Sequence, residues 1–222
     1  MKISDEVKLR FNEKFRIRST PWLRGGDKKF IEKFSRLVLK INDVPRLLDL
    51  GCGNGWISVY FKSKGIYVDG IDSSPIAIRQ ARSIKETGSG SMHFKIGDAL
   101  HLPYKKDLFD AVFDRGMFHH QPEYAWEKYI KNVGKVLKPE GLLYLSCYSD
   151  TSIKPGLFPR KDGRLGYRYK DKETGYWSYD HYFNDKLIQS LFCRHFSLVD
   201  HGMEKRRAPS GSRLLYFVFK KK

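Results

Sequence analysis

Three glycines at alternate positions follow a short apolar run, in the stretch Leu-Asp-Leu-Gly-Cys-Gly-Asn-Gly at residues 48–55. Gly51, Gly53 and Gly55 lack a Cβ and tolerate positive φ, so the backbone there can approach a ligand closely. A dinucleotide-binding turn requires a further glycine where Trp56 stands, and a phosphate loop ends in Gly-Lys-Ser or Gly-Lys-Thr, which this turn lacks. The turn therefore favours a ribose, an amino-acid group or an adenine over a phosphate.

Two carboxylates accompany this turn. Asp49 precedes the first glycine and Asp72 ends the next predicted strand, so both face the crevice outside the carboxyl ends of the strands. A carboxylate at position 72 can accept hydrogen bonds from both hydroxyls of a ribose. The pair therefore predicts a ribose-binding site.

Two adjacent histidines follow the fourth predicted strand, in the stretch Asp-Arg-Gly-Met-Phe-His-His at residues 114–120. Histidine titrates near neutrality, so His119 or His120 could act as a general base or orient a substrate. Each could equally pack against the helix that follows. The stretch lies at the carboxyl edge of the sheet, where substrates bind in α/β proteins.

An alternation of short apolar runs with longer amphipathic runs must position these residues. From residue 46 to about 149 the pattern is typical of βαβ units around a parallel sheet, which indicates an α/β fold. The predicted elements are strands at 46–50, 66–71, 92–96, 108–113 and 142–147, helices at 56–64, 75–86, 124–137 and 184–192, and a terminal antiparallel hairpin of 196–203 and 214–219. Residues 1–44 are predicted to form a helical cap, in which Trp22 packs in the core or closes the pocket.

Residues 150–183 break this rhythm and are interpreted as an insertion after the fifth strand. Basic and aromatic side chains alternate there: Arg160, Lys161, Arg164, Tyr167, Arg168, Tyr169, Lys170, Tyr176, Trp177, Tyr179, His181 and Tyr182. Such a surface can stack bases and attract phosphates, or it can form a lid over a small substrate. The lid is favoured because no nucleic-acid-binding module is recognisable.

Composition sets the remaining limits. Forty-two Lys and Arg against 25 Asp and Glu give a net charge of +17, which favours anionic partners or reflects a lysine-rich surface. Three widely spaced cysteines suggest neither a disulfide framework nor a metal site. No apolar run approaches the roughly 20 residues of a membrane span, and the N-terminus lacks a secretory signal. We predict one cytoplasmic domain over residues 1–222, monomeric or homodimeric and without membrane contact.

Five motifs in order resemble those of the class I S-adenosylmethionine-dependent methyltransferases. They are Asp-Leu-Gly-Cys-Gly-Asn-Gly at 49–55, Gly-Ile-Asp at 70–72, Gly-Asp-Ala at 97–99, Phe-Asp-Ala-Val-Phe-Asp at 109–114 and Val-Leu-Lys-Pro-Glu-Gly at 136–141. The resemblance implies a Rossmann-like seven-stranded sheet with its last strand antiparallel and helices on both faces. It also implies S-adenosylmethionine as the methyl donor, with no metal expected.

The resemblance assigns roles to individual residues. The glycine turn would line the methionine end of the cofactor, Asp72 would hold the ribose hydroxyls, and Asp98 with Ala99 would meet the adenine. The cofactor-binding residues expected on this basis are Asp49, Gly51, Cys52, Gly53, Asn54, Gly55, Asp72, Ser73, Asp98, Ala99 and Arg115. Asp114 is expected to pair with Arg115 or with the amino group of the cofactor.

The methyl acceptor must be inferred from the loops. The Asn/Asp-Pro-Pro-Tyr/Phe motif of nucleobase and glutamine methyltransferases is absent after the fourth strand, as is the Pro-Cys pair of pyrimidine C5 enzymes. The 114–120 stretch more weakly resembles the thiopurine methyltransferase and tellurite-resistance branch. We predict in-line methyl transfer to a small molecule, such as a thiol, metalloid or heteroaromatic compound, with His119, His120 and Asp114 as catalytic residues. Two alternatives stay open, an RNA methyltransferase that binds through the insertion and a non-catalytic cofactor-binding protein.

Overall fold

The computed structural model describes residues 3–21, 28–84, 90–152, 165–204 and 213–222, and these form six α-helices and nine strands. The helices are α1 (Ile3–Arg16), α2 (Lys28–Val38), α3 (Trp56–Ser63), α4 (Pro75–Arg82), α5 (Trp126–Val136) and α6 (Asp185–Phe192). The strands are β1 (Arg46–Leu50), β2 (Tyr67–Asp72), β3 (Met92–Ile96), β4 (Phe109–Arg115), β5 (Leu137–Ser149), β6 (Leu165–Lys170), β7 (Trp177–Phe183), β8 (Phe196–Glu204) and β9 (Leu214–Lys221). None of the helices in these ranges is long and apolar enough to cross a membrane.

The central sheet is parallel over its first five strands. Its order is β3-β2-β1-β4-β5, and each neighbouring pair is parallel. β9 then runs antiparallel to β5, with residues 142–148 opposite 214–220, and β8 pairs antiparallel with β9. The predicted sheet with an antiparallel last strand is confirmed, and so is the terminal hairpin.

Helices cover both faces of the sheet because successive side chains of a strand point to opposite sides. Leu48 and Val112 belong to a buried cluster with side chains of α5 and α6. Leu47 and Phe113 belong to the opposite cluster, with side chains of α2, α3 and α4. The predicted helices on both faces are therefore confirmed.

The insertion contributes two strands that the sequence analysis did not predict. β6 and β7 form an antiparallel hairpin, and β7 pairs in parallel with β5 at Tyr148 and Ser149. The described residues thus form a nine-stranded sheet where seven strands were expected. Aromatic residues favour strands, and the hairpin that contains them extends the sheet beyond the end of β5. Trp22, Arg160, Lys161 and Arg164 lie outside the described residues.

The residues between the predicted helix at 124–137 and the predicted strand at 142–147 form a bulge within a strand. β5 begins at Leu137, immediately after α5, and Leu137 pairs with Phe109. Ala111 then pairs with Leu142, so the four residues between Leu137 and Leu142 have no partner in β4. Glu140 in this bulge has a positive φ of 64°.

Candidate functional site

A cavity of about 440 Å³ lies at the carboxyl ends of β1, β2, β4 and β5, the edge that the sequence analysis indicated. Small-molecule sites range from about 300 to 1,000 Å³, so the cavity has a matching size. The predicted residues that line it are Asp49, Gly51, Cys52, Gly53, Asp72, Ser73, Asp98, Ala99, Arg115, His119 and His120. Asn54, Gly55 and Asp114 are not among the lining residues of the described chain.

The glycine turn has left-handed backbone at all three predicted positions. φ is 76° at Gly51, 56° at Gly53 and 81° at Gly55. A Cβ on Gly55 would lie 2.8 Å from Cζ of Phe94, so this glycine permits close packing between the start of α3 and β3. Gly51 and Gly53 line the cavity, whereas Gly55 serves the packing beneath it.

Asp72 is held by the glycine turn. The Gly53 N–H donates to its Oδ2 at 2.9 Å, and the Ser74 N–H donates to its Oδ1 at 2.8 Å. Burial raises the pKa of the Asp72 carboxyl, and these backbone donors oppose the rise. Each carboxylate oxygen retains a further acceptor position. Asp72 is therefore oriented so that it can accept two ligand hydroxyls.

Asp49 places a second carboxyl in the cavity wall. Its Oδ2 accepts a hydrogen bond of 2.5 Å from Oγ of Ser58. Burial raises the pKa of Asp49 to about 7, and the nearby carboxyls of Asp72 and Asp114 contribute to the rise. A positively charged ligand group beside Asp49 would favour its ionised form.

Asp114 and Arg115 do not pair with each other, so the first of the two expected pairings is wrong, while pairing of Asp114 with the amino group of the cofactor stays a prediction. Asp114 accepts from the Tyr129 hydroxyl at 2.6 Å and from a backbone N–H of the following loop, and burial raises its pKa to about 7. Arg115 donates to Glu204 at 3.0 Å, and Glu204 also accepts from Tyr144. Tyr129, the partner of Asp114, lies in α5, and Glu204, the partner of Arg115, lies in β8. Local spacing in the sequence cannot reveal such pairs. Asp114 therefore holds the histidine loop, residues 116–120, in place through this backbone hydrogen bond.

His119 and His120 lie in a short 3-10 turn, Phe118–His120, at the edge of the cavity. The ring centroids of His119 and Tyr148 are 3.8 Å apart. Nδ1 of His120 lies 2.9 Å from the carbonyl oxygen of Tyr179 and 3.1 Å from Oδ1 of Asp180. At the cavity wall, His119 therefore contacts β5 and His120 contacts β7.

α1 contributes a wall that we call the roof, made of Val7, Lys8, Arg10, Phe11, Lys14 and Phe15. The β6–β7 hairpin holds one side of it. Nε of Arg10 lies 2.9 Å from Oδ2 of Asp171, and Nζ of Lys14 lies 3.2 Å from the same oxygen. Lys14 also pairs with Glu173 at 2.5 Å. These side chains of Arg10, Lys14 and Asp171 are less than 10% exposed, so water screens their charges weakly.

The opposite side of the roof contacts the loops after β2 and β3. The Ser74 hydroxyl donates to Oδ1 of Asn12 at 2.8 Å. Nζ of Lys8 donates to Oδ2 of Asp98 at 2.8 Å, and Oδ1 of Asp98 accepts from the Leu100 N–H. α1 is therefore tied to the loops on both sides of the cavity.

Residues 47–141 match a protein-family model described as a methyltransferase domain. Its fold is that of solved S-adenosylmethionine-dependent methyltransferases. Residues 47–141 therefore form a methyltransferase domain, and its fold is that of the S-adenosylmethionine-dependent methyltransferases. This confirms the resemblance of the five sequence motifs and identifies S-adenosylmethionine as the cofactor of the domain.

Curated relatives match the methyltransferase domain over about half of this chain. Norajmaline N-methyltransferase of Rauvolfia serpentina is 32% identical over 112 residues, which are 49% of this chain and 38% of the relative. The 27-O-demethylrifamycin SV methyltransferase of Amycolatopsis mediterranei is 35% identical over 114 residues, 50% of this chain and 41% of the relative. The matched part of this chain spans less than half the length of these relatives.

Solved structures share the fold over most of the chain. A methyltransferase of Methanosarcina mazei superposes with a TM-score of 0.70 and 26% identity, covering 81% of this chain and 93% of that one. The 1,6-didemethyltoxoflavin-N1-methyltransferase of Burkholderia thailandensis, with bound 1,6-didemethyltoxoflavin and S-adenosylhomocysteine, has a TM-score of 0.71 and 20% identity. It covers 99% of this chain and 88% of its own. The weaker resemblance to the thiopurine methyltransferase and tellurite-resistance branch stays a prediction.

The cavity of the methyltransferase domain has a donor set that fits S-adenosylmethionine. The cofactor carries a sulfonium and an ammonium, and the buried carboxyl of Asp49 and the half-buried carboxyl of Asp72 suit a cationic ligand. Asp72 would hold the ribose hydroxyls, and Asp98 with Ala99 would meet the adenine. Within the described ranges, no group of three His, Cys, Asp or Glu side chains is arranged to hold a metal ion.

Several residues of the methyltransferase domain's cavity were not singled out from the sequence. Phe11, Phe15, Tyr148 and Asp180 all line it. The amphipathic pattern of residues 1–44 predicted helices, yet a pattern on one helix does not say which loop it will contact. Asp180 stands between aromatic residues in the insertion and had no local motif to mark it.

Proposed function

We propose that this protein transfers the methyl group of S-adenosylmethionine to a small molecule, by in-line displacement within the cavity. The observation that carries the proposal is the roof. α1 is tied by buried ion pairs to the β6–β7 hairpin and by hydrogen bonds to the loops after β2 and β3. A polymeric acceptor would have to displace this helix, whereas a small molecule fits beneath it.

The curated relatives support a small acceptor. They are named for norajmaline, 27-O-demethylrifamycin SV and tocopherol. The RNA alternative depends on the charge of +17 and on the insertion. Within the described part of that insertion, the Arg168 guanidinium lies over the Trp177 ring at 4.4 Å, a contact within the hairpin.

The residues of the cavity have distinct roles in this proposal. S-adenosylmethionine supplies an activated methyl group, so positioning accounts for much of the rate. Asp72 and the glycine turn orient the donor, and Asp114 holds the histidine loop in place. His119 and His120 face the acceptor, where a general base is required if an O–H or N–H is methylated.

Methyl-labelled S-adenosylmethionine and a cell extract divided into small-molecule, RNA and protein fractions test this proposal. We expect label in the small-molecule fraction, and we expect Asp72→Asn to abolish it at low cofactor concentration. Asp43→Asn is the matched control, because Asp43 is exposed and outside the cavity. Label in RNA alone would replace the proposal with the RNA alternative. Cofactor binding without label in any fraction would favour a non-catalytic protein.

A further inference from the structure

His120 faces two oxygen atoms through one ring nitrogen. Its Nδ1 lies 2.9 Å from the carbonyl oxygen of Tyr179 and 3.1 Å from Oδ1 of Asp180. A backbone carbonyl and an ionised carboxylate accept hydrogen bonds but cannot donate them, so Nδ1 carries a proton. The neutral imidazole therefore keeps its lone pair on Nε2, the nitrogen that can take a proton from a substrate.

Asp180 and His120 are both buried in the cavity wall. Their side chains are 5% and 11% exposed, and both line the cavity. When Nε2 accepts a proton, the ring becomes an imidazolium beside a carboxylate. Their attraction is strong because little water separates them. The hydrogen bond to the Tyr179 carbonyl and the close approach of Asp180 together fix the orientation of the ring.

Aromatic rings surround the same end of the cavity. Phe11 of the roof meets the His120 ring edge-on, with centroids 4.9 Å apart. Tyr148 lies against His119, and Tyr169 of β6 also lines the cavity. Flat rings favour edge-on and offset contacts with other flat rings. This end of the cavity therefore combines an oriented base with walls suited to a planar ligand.

We propose that Asp180 is the positioning residue of a His120 general base, and that the acceptor is a planar aromatic compound methylated on a ring hydroxyl or ring N–H. The inference rests on the proposed function and narrows its acceptor. Thiols ionise near a pKa of about 8.5 and need little help from a base. An oriented base is useful for the less acidic O–H or N–H of an aromatic ring.

The atoms balance in a single displacement. The acceptor oxygen or nitrogen forms a bond to the methyl carbon, and the bond between that carbon and sulfur breaks with its electron pair remaining on sulfur. The acceptor proton passes to Nε2 of His120 and then to water. Asp180 keeps its charge throughout and acts only on the ring.

A pair of aspartate variants tests the positioning role, with hydroxyquinolines as acceptor probes. Asp180→Asn should lower kcat about 10- to 100-fold, within the range of general-base effects, while cofactor affinity measured by calorimetry is unchanged. Asp185→Asn is the matched control. Asp185 does not line the cavity, and its Oδ1 lies 3.2 Å from Nδ1 of His201. Its kcat should equal that of the unmodified protein. An unchanged kcat in Asp180→Asn contradicts the proposal.

The acidity of the acceptor separates a lost base from general damage. Nitro-substituted hydroxyquinolines that are already ionised need no base, so Asp180→Asn and His120→Gln should methylate them at nearly normal rates. Unsubstituted hydroxyquinolines should show the full loss. Equal losses for both kinds of acceptor would show a structural defect and overturn the positioning role.

The acceptor class is tested with the unmodified protein, so it does not depend on the folding of a variant. Mass spectrometry of the labelled small-molecule fraction should identify a methoxy or N-methyl group on an aromatic ring. An S-methyl product or a product without a ring overturns the acceptor class and leaves the proposed function standing. Absence of label from all small molecules overturns the proposed function itself.

Discussion

Replacing Asp171 with asparagine should loosen the roof of the cavity. Oδ2 of Asp171 receives both Arg10 and Lys14, and its Oδ1 accepts from the Thr174 N–H at 3.0 Å. Burial alone would raise the pKa of Asp171, but hydrogen bonds from Arg10, Thr174 and Lys14 outweigh it and lower the pKa to about 2. Relative to the ordinary value, this shift corresponds to about 2 kcal/mol of stability at neutral pH.

An asparagine at position 171 is uncharged, so it would leave the buried cations of Arg10 and Lys14 with less compensating negative charge. Removing one partner of a buried pair costs about 3–5 kcal/mol, so we expect Asp171→Asn to lower the free energy of unfolding by about 2–4 kcal/mol. The pKa of this carboxyl is lower in the folded state than in the unfolded state. Its contribution is therefore complete above about pH 4 and is lost as the pH falls toward 2.

Urea unfolding of both proteins, followed by tryptophan fluorescence between pH 7 and pH 3, measures this difference. Glu32→Gln is the control, because the exposed Glu32–Arg36 pair should contribute less than about 0.5 kcal/mol. The difference in the free energy of unfolding between Asp171→Asn and the unmodified protein should become smaller as the pH drops below 4. A loss no larger than that of Glu32→Gln, or a gap independent of pH, would refute the reasoning about the roof.

Four further substitutions have defined outcomes. Asp72→Ala should weaken S-adenosylmethionine binding by about 1–3 kcal/mol in calorimetry, and an unchanged affinity would remove Asp72 from the ribose site. Gly55→Ala should cost about 2–4 kcal/mol of unfolding free energy, because it combines a φ of 81° with a contact of 2.8 Å to Phe94. Gly65→Ala, at a φ of 84° with open space around it, should cost only about 1–2 kcal/mol, and equal losses would contradict the packing argument. Glu140→Gly should raise the unfolding free energy by about 0.5–1 kcal/mol, because it relieves the positive φ in the β5 bulge; a lower thermal midpoint would contradict this.

Features carried by short stretches of chain could be predicted from the sequence. The glycine turn and Asp72 at the end of its strand each depend on a few neighbouring residues. β1 and β3 were predicted with the bounds that the structure shows. Local propensity and the period of apolar residues are sufficient for such elements.

Features that join distant segments could not be predicted. Arg10 and Asp171 are 161 positions apart, and Arg115 and Glu204 are 89 apart, so no spacing rule relates them. The β6–β7 hairpin contains alternating aromatic residues, but glycine, proline and basic residues around it interrupt the pattern, so the sequence indicated an insertion without assigning strands to it. The acidic neighbour of His120, Asp180, lies in this hairpin, and the proposed base could therefore be suggested from the sequence only as one of two histidines.

A crystal structure with S-adenosylhomocysteine and a bound acceptor tests the central claim most directly, namely that the cavity under α1 holds donor and acceptor together. We expect the ribose hydroxyls on Asp72 and a planar acceptor beside Nε2 of His120, with α1 in place above it. An acceptor bound outside the roof, or a ribose away from Asp72, would contradict the account.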